Sequence, residues 1–210
     1  MPSRKPSILV VGAGPAGLTA AIELRRRGFA PRIIEQDKGP HVESRAIAIN
    51  PRSLDILQPS GATSRLLKRG IKLTATNIHG PRGVMIRLDL KNMPHKRRYM
   101  LALPQADTEK VLIETLGGRR MIEWNTRLVA LKRGKNGNSA TVMKAGRKRV
   151  IKADIVIGAD GAHSTTRKQL GIGFAGAAYE HDWSLADIRV SGPMSDKELH
   201  AFDTRPELVA

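Results

Sequence analysis

A chain of 210 residues, 40% of them apolar, can form one large domain, or one domain and part of another, around a packed core. Because there is no cysteine, disulfides, thiolate metal sites and cysteine nucleophiles are excluded, and the six histidines lack metal-ligand spacing, so no metal site is expected. The 36 Lys and Arg against 19 Asp and Glu give a formal charge of +17, which attracts polyanions without choosing among nucleic acid, anionic lipid and phosphorylated cofactors.

The first predicted element is the apolar run from Ile8 to Val11, typical of a strand buried on both faces of a parallel sheet. It leads into a glycine loop of the form G-x-G-x-x-G and then into a helical pattern that ends at Gly28. In such a loop the first glycine permits a tight turn, the second admits a pyrophosphate, and the third lets the helix pack on the strand. The residues assigned to this anion-binding loop are Gly12, Gly14, Pro15, Ala16 and Gly17.

A second strand, from Pro31 to Ile34, is predicted to end in Glu35. This acid follows the glycine loop by about 20 residues, the spacing at which dinucleotide-binding units place a carboxylate that binds the ribose 2′-hydroxyl. A carboxylate repels a 2′-phosphate, so the adenosine of FAD or NAD is favoured over that of NADP.

A secretory signal is the alternative interpretation of the basic N terminus and the uncharged run from Ile8 to Ile22. That run is broken by Pro15 and three glycines, and it is shorter than the roughly 18 residues that a membrane span needs. We therefore expect no transmembrane segment here.

Beyond the second strand, a polar loop and two short helices are predicted. Asn50 and Pro51 have the residue types of an N-cap and a first helical position, and the second helix is expected from Ser64 to Arg69. Arg45, which precedes both helices, has two interpretations. It can bind phosphate through paired hydrogen bonds, or it can be a solvated loop charge.

Residues 71–100 have the pattern of an antiparallel insertion, with strands from Ile71 to Ile78 and from Val84 to Leu90 around a glycine-proline turn. A brief strand then ends at Gln105, and a helix is predicted to begin at Asp107 or Thr108. Because ligands of open α/β sheets bind where strands give way to helices, Gln105 is a candidate binding residue.

From Met121 to Lys152, three short apolar runs joined by glycine turns predict a three-stranded meander. The segment ADIVIGADGAHSTTRKQLGI then repeats the order of strand, glycine loop and helix, with Ser164 as the helix cap. Asp160, which precedes Gly161, can reach ribose or ribityl hydroxyls from this loop, or it can be an ordinary turn aspartate.

The remaining residues predict a strand around Trp183 to Val190 and a helix from about Ser195 to Phe202. This strand has no obvious later partner. We therefore expect it to pair with the insertion at 71–100 or to belong to an incomplete domain.

Four segments together resemble the class A flavoprotein monooxygenases, the aromatic-ring hydroxylases that include p-hydroxybenzoate, phenol and polyketide hydroxylases. The segments are VGAGPAGLTAAIELRRRG with Glu35, SRAIAINPRSLDIL, LPQADTEKVL and ADIVIGADGAHSTTRKQLGI, the last similar to the family's DG motif. The resemblance covers nearly the whole chain and departs at Thr166, where the family usually has valine.

The resemblance implies an α/β fold, with a Rossmann-like FAD-binding domain of the glutathione-reductase type and a β-meander at residues 1–70 and 101–172. Residues 71–100 and 173–210 would then be part of a mixed-sheet substrate domain. The implied cofactor is FAD, with NADH or NADPH as electron donor and a small aromatic substrate. The flavin supplies the reactivity, so no catalytic side chain is assigned.

The resemblance also implies roles for four side chains. Glu35 would bind the adenosine ribose, and Arg45 the pyrophosphate region. Gln105 would bind the ribityl chain, and Asp160 the flavin side, with a share in docking the pyridine nucleotide.

The family's third signature, a GD motif that completes the pyrophosphate and ribityl contacts, does not occur in the sequence. We therefore expect either the N-terminal part of a longer reading frame or a shortened relative. This form is expected to retain FAD poorly and to self-associate through an exposed sheet edge.

Three other classes of protein stay open. A NAD-dependent Rossmann oxidoreductase shares the first glycine motif and Glu35, but it does not explain the segment GADGAHS. A non-catalytic FAD- or nucleotide-binding fragment requires only part of the motifs described above. A nucleic-acid binder rests on charge alone, since the basic runs have little aromatic interleaving. We expect no specific nucleic-acid partner and a cytoplasmic location.

Overall fold

The computed structural model describes residues 5–40, 48–135, 137–176 and 191–202. Arg45 and the strand predicted around Trp183 to Val190 lie outside these ranges. The described chain is mixed α/β, with four three-stranded sheets and five α-helices. No helix in the described ranges is long and apolar enough to cross a bilayer.

The secondary-structure elements are numbered in chain order. The strands are β1 Ile8–Val11, β2 Arg32–Ile34, β3 Ala48–Ile49, β4 Ile71–Leu73, β5 Ala75–Gly80, β6 Gly83–Asp89, β7 Met100–Ala102, β8 Thr126–Gly134, β9 Gly137–Lys144, β10 Arg147–Ala153, β11 Ile155–Gly158 and β12 Glu198–Phe202. The helices are α1 Pro15–Arg26, α2 Pro51–Leu57, α3 Ala62–Leu67, α4 Gln105–Leu116 and α5 Thr165–Gln169.

A parallel sheet of order β11-β1-β2 forms the middle layer of the larger part of the structure. Alternate residues of β1 serve different cores, because successive side chains of a strand point to opposite faces. Val10 packs in a cluster with residues of α1 to α4, whereas Leu9 and Val11 pack against the opposite layer. Burial on both faces explains why the β1 segment is uninterruptedly apolar.

The opposite layer is the predicted three-stranded meander, which the structure confirms as β8, β9 and β10 in antiparallel order. Its inner face places Leu128, Val142 and Ile151 against β1. The end of β8 nearest to β2 is anchored by the Thr126 amide, which donates to the Glu35 carbonyl oxygen at 2.7 Å. This contact positions the meander beside the carboxyl ends of the parallel strands.

A separate sheet of order β12-β5-β6 contains the antiparallel hairpin expected at residues 71–100. The helix predicted from Ser195 to Phe202 is wrong, because β12 lies parallel to β5 there. Glu198 accepts hydrogen bonds from Asn77 of β5 and Arg87 of β6. Tertiary pairing across more than a hundred residues therefore overrides the local helical pattern.

Three boundaries also differ from the prediction. The helix expected to begin at Asp107 or Thr108 begins at Gln105, because the Pro104 carbonyl accepts the Thr108 amide as the first helical bond. The predicted strand from Ile71 to Ile78 divides into β4, which pairs with β7, and β5. The helix predicted at Ser64 to Arg69 is α3, which begins directly after a left-handed glycine. The Asn50 cap of α2 is confirmed, since its side chain accepts from the Ser53 amide at 2.8 Å.

Candidate functional site

A cavity of about 380 Å³ lies at the carboxyl ends of the three parallel strands. The loop after β1, the residues after β2, the loop after β11 and the start of α4 converge on it, together with the start of β8. Eight of the ten residues predicted from the sequence line it: Gly12, Gly14, Pro15, Ala16, Glu35, Gln105, Asp160 and Gly161. The other two predicted residues are Gly17, which is buried in α1, and Arg45, which lies outside the described ranges.

Gly12 and Gly17 are required for close backbone packing. Gly12 has φ +103°, and a Cβ atom placed on it would lie 2.3 Å from the Ala159 carbonyl oxygen. A Cβ atom on Gly17 would lie 2.0 Å from the Gly12 carbonyl oxygen. The first and third glycines therefore let the loop after β1, the loop after β11 and α1 meet at backbone contact.

Gly14 has a different purpose, because a Cβ atom placed on it would meet no atom within 4 Å. Gly14 lines the cavity and is the N-cap of α1, where it supplies no side-chain cap. The first intrahelical bond runs from the Leu18 amide to the Gly14 carbonyl, so the amides of the preceding turn have no acceptor within the helix. These amides and the helix dipole favour an anion at this end of the cavity.

Glu35 lies at the end of β2 and is 8% exposed. Its Oε2 atom accepts a hydrogen bond from the Ala13 amide at 2.6 Å, and its Oε1 atom accepts one from the Asp37 amide at 3.1 Å. A carboxylate has about four acceptor positions, so both oxygens keep capacity for a further donor. The Glu35 carboxylate can thus hold the glycine loop and accept a ligand hydroxyl together.

An ion pair holds strand β2, which directly precedes Glu35. Arg32 donates two hydrogen bonds to the carboxylate of Glu123, one of them at 2.9 Å between Nη2 and Oε2. This pairing raises the pKa of Arg32 and lowers the pKa of Glu123. The Glu35 amide in turn donates to the Glu123 carbonyl oxygen at 3.0 Å. Glu123 therefore contacts both the side chain of Arg32 and the backbone of Glu35.

Asp160, in the loop after β11, both lines the cavity and holds the start of α5. Its Oδ1 atom accepts from the Ser164 hydroxyl at 2.5 Å. Its Oδ2 atom accepts from the Thr166 amide at 2.9 Å and from the Thr166 hydroxyl at 3.2 Å. The two interpretations left open by the sequence are therefore compatible, since one carboxylate occupies the turn and borders the cavity.

Gln105 begins α4 and stands between two cavities. Its side-chain amide donates to Oε1 of Glu109 at 2.9 Å, and Glu109 is almost completely buried. Gln105, Pro15 and Ala16 also line a second, more apolar cavity of about 360 Å³. The start of α4 is therefore fixed by an internal contact while its first side chain faces the candidate site.

The sequence did not single out Arg127 or His163, which also line the cavity at the carboxyl ends of the parallel strands. Arg127 is exposed at the start of β8 and borders an adjoining cavity of about 520 Å³. Arg127 is one of 36 basic residues and lies in no recognisable motif, so the sequence does not distinguish it. The register of the meander brings it to the cavity. His163 stands inside the GADGAHS segment, so its motif was the signal that could have found it.

Residues 5–206 match a family model described as an FAD binding domain. The chain is 33% identical to 6-methylpretetramide 4-monooxygenase of Streptomyces rimosus over 202 residues, which are 95% of this chain and 36% of that protein. It is also 33% identical to pentachlorophenol 4-monooxygenase of Sphingobium chlorophenolicum over 206 residues, which are 95% of this chain and 38% of that protein.

Among solved structures, the fold is similar to that of the flavin-dependent monooxygenase PieE in complex with FAD and substrate. The TM-score is 0.73 at 26% identity, covering 84% of this chain and 34% of that one. The chain thus spans about a third of the length of these relatives.

Proposed function

The chain belongs to the FAD-binding domain family of the class A flavoprotein monooxygenases, and we propose that its cavity holds FAD for the hydroxylation of a small aromatic substrate. The observation that carries this proposal is the convergence of the α1 N terminus, Glu35 and Asp160 on one cavity. These three features supply an anion site and two carboxylate acceptors, the groups that a dinucleotide's phosphates and hydroxyls require.

The start of α1 has room for the pyrophosphate of a dinucleotide. Gly14 leaves open the space that a Cβ atom would fill, directly before the free amides of α1. We assign the pyrophosphate to this turn and the adenosine ribose to Glu35. The ribityl chain is assigned to Gln105 and the flavin side to Asp160, beside Gly161. Arg45 is assigned to the pyrophosphate region on the resemblance alone.

The reaction proposed for the whole protein is a monooxygenation. One atom of O2 enters the aromatic ring and the other leaves as water, with two electrons from NADH or NADPH. The flavin supplies this redox chemistry when bound, while the residues of this chain bind and orient it. The chain spans about a third of the length of its relatives. We therefore propose the aromatic substrate and the complete hydroxylation reaction for the whole protein.

We propose that residues 1–70 and 101–172 form a Rossmann-like FAD-binding domain of the glutathione-reductase type. Residues 71–100 and 173–210 are proposed as part of the substrate domain, and the protein is placed in the cytoplasm. The contact of β12 with the hairpin of β5 and β6 supports this grouping, because both come from the proposed substrate portion.

The test is to titrate the purified chain with FAD and NAD by calorimetry, with absorption spectra of the FAD complex. We expect tighter binding of FAD, since two glycine loops and two carboxylates border the cavity. Tighter binding of NAD would overturn the proposal in favour of a NAD-dependent oxidoreductase. A second assay measures NADH and NADPH oxidation and product formation with a panel of phenols, and FAD binding without hydroxylated product would reduce the assignment to a nucleotide-binding fragment.

A further inference from the structure

Thr166 is the second residue of α5 and is 6% exposed. It donates two hydrogen bonds to Oδ2 of Asp160, from its amide at 2.9 Å and from its hydroxyl at 3.2 Å. The cavity is lined by Asp160 and not by Thr166. The contact of this hydroxyl with the cavity lining is therefore through the carboxylate of Asp160.

The orientation of the Thr166 hydroxyl is specific. A helical threonine commonly bonds the carbonyl four residues earlier, which here belongs to Ala162. In this structure the Ala162 carbonyl instead accepts from the Arg167 guanidinium at 3.4 Å. The other arm of Thr166 packs on β11, since a Cβ atom added to Gly158 would lie 2.7 Å from Cγ2. The missing side chain at Gly158 thus makes room for the methyl group while the hydroxyl meets the carboxylate.

The Thr166 hydroxyl changes the number of acceptor positions that Asp160 keeps for a ligand. A carboxylate oxygen has two acceptor positions, and the two donors of Thr166 fill both of those on Oδ2. Oδ1 accepts only the Ser164 hydroxyl among the contacts described above, so its second position is the one left for a donor from the cavity. The terminal torsion of an aspartate is otherwise broad, so these contacts also fix the plane of the carboxylate.

We propose that Thr166 is a positioning residue which saturates Oδ2 of Asp160 and thereby directs Oδ1 to a hydroxyl of the flavin half of the bound dinucleotide. This inference rests on the proposed function for the identity of the ligand. It goes beyond that function in naming a residue outside the cavity that determines which oxygen the ligand meets. A valine at this position keeps the branched shape and removes only the hydroxyl, which makes it the natural probe.

The experiment compares Thr166→Val, Thr166→Ser and wild type in full-length protein, with FAD and ADP as ligands in calorimetry. We expect Thr166→Val to raise the Kd of FAD about fivefold to tenfold, which corresponds to the net free energy of one typical hydrogen bond. The Kd of ADP should stay unchanged, because ADP lacks the flavin half, and Thr166→Ser should restore FAD affinity. Thr115→Val is the matched control. The Thr115 hydroxyl donates to the Val111 carbonyl oxygen within α4 at 2.8 Å, and Thr115 does not line the cavity.

A double-mutant cycle separates positioning from a general loss of structure. In an Asp160→Ala background, Thr166→Val should cause no further loss of FAD affinity, because the group it acts through is gone. Additive losses, an unchanged Kd of FAD in Thr166→Val, or an equal loss for ADP would overturn the inference. Thermal unfolding of each variant identifies losses that come from instability.

A second measurement decides the inference if Asp160→Ala does not fold, or if wild type fails to bind FAD. The carboxyl ¹³C resonance of Asp160 is recorded in ligand-free wild type, Thr166→Val and Thr166→Ser. The resonance should move in Thr166→Val and return toward its wild-type position in Thr166→Ser. An identical resonance in all three proteins would overturn the inference, whereas failure of FAD binding alone overturns the proposed function.

Discussion

The Oε2 atom of Glu35 lies 2.6 Å from the amide nitrogen of Ala13, so the acid at the end of β2 holds the glycine loop at the end of β1. This contact joins the two halves of the nucleotide-binding pattern within the protein itself. It makes Glu35 part of the architecture of the cavity as well as a candidate ligand for ribose.

Replacing Glu35 with Ala should therefore lower both stability and cofactor affinity. The buried Ala13 amide loses a charged acceptor, which costs about 1 to 3 kcal/mol of the free energy of unfolding. FAD affinity should fall as well, because the ribose would lose its proposed acceptor. Urea denaturation and FAD titration measure the two effects, with Glu35→Gln as the milder variant. Wild-type values for both quantities in Glu35→Ala would remove this residue from the site.

Alanine substitutions at Gly12 and Gly14 should have opposite consequences. Gly12→Ala should unfold or destabilise the protein by more than about 2 kcal/mol, because its methyl group would meet the Ala159 carbonyl in a left-handed backbone position. Gly14→Ala should fold normally, since its backbone is extended with φ −71° and nothing lies within 4 Å. Its methyl group should instead obstruct the cavity and weaken FAD binding. Thermal unfolding and FAD titration of the pair distinguish these outcomes, and a folded Gly14→Ala with wild-type affinity would contradict the pyrophosphate assignment.

Local patterns in the sequence predict part of the fold and of the candidate site, whereas features that depend on distant pairing are not predictable from them. Strand β1, the glycine loop, α1 and Glu35 were predictable because the determining pattern is local and periodic. The identity of β12 was not, since its residue Glu198 and the partner Asn77 on β5 are separated by 121 residues and the local pattern resembles a helix. Arg127 was missed for the same reason, because only the register of the meander brings it to the cavity.

The attachment of β12 should depend on pH through Glu198. Hydrogen bonds from Arg87, and then from Asn77, lower the pKa of Glu198 from 4.5 to about 2. A lowered folded-state pKa means that the stabilisation is complete above pH 4.5 and is lost as the pH falls toward about 2. Hydrogen exchange of the β12 amides should therefore accelerate over this window relative to those of β1. In Glu198→Gln the acceleration should be absent, and retention of the same pH profile would assign it to another group.

The high positive charge should cause only weak and unselective association with polyanions. The meander contributes strongly to this charge, because the segment from Thr126 to Ala153 contains basic residues and no acidic residue. Since such binding comes from counterion release, affinity for duplex DNA should fall steeply with salt and should not depend on sequence. Fluorescence anisotropy at several salt concentrations provides the measurement. Sequence-selective binding at physiological salt would contradict this prediction.

Strand β6 should mediate self-association of this chain. Among the described strands it pairs only with β5, and its Val84, Ile86 and Leu88 side chains are each about half exposed. An apolar strand with an unpaired edge offers both backbone hydrogen bonds and apolar surface to a second copy. Ile86→Lys should therefore reduce the apparent mass in sedimentation velocity at a given concentration, while leaving FAD affinity unchanged. Ile56→Lys is a matched control, because Ile56 is 45% exposed against 46% for Ile86 but lies on the helix α2. A concentration-independent monomer for wild type, or equal effects of the two lysine substitutions, would show that this edge does not drive association.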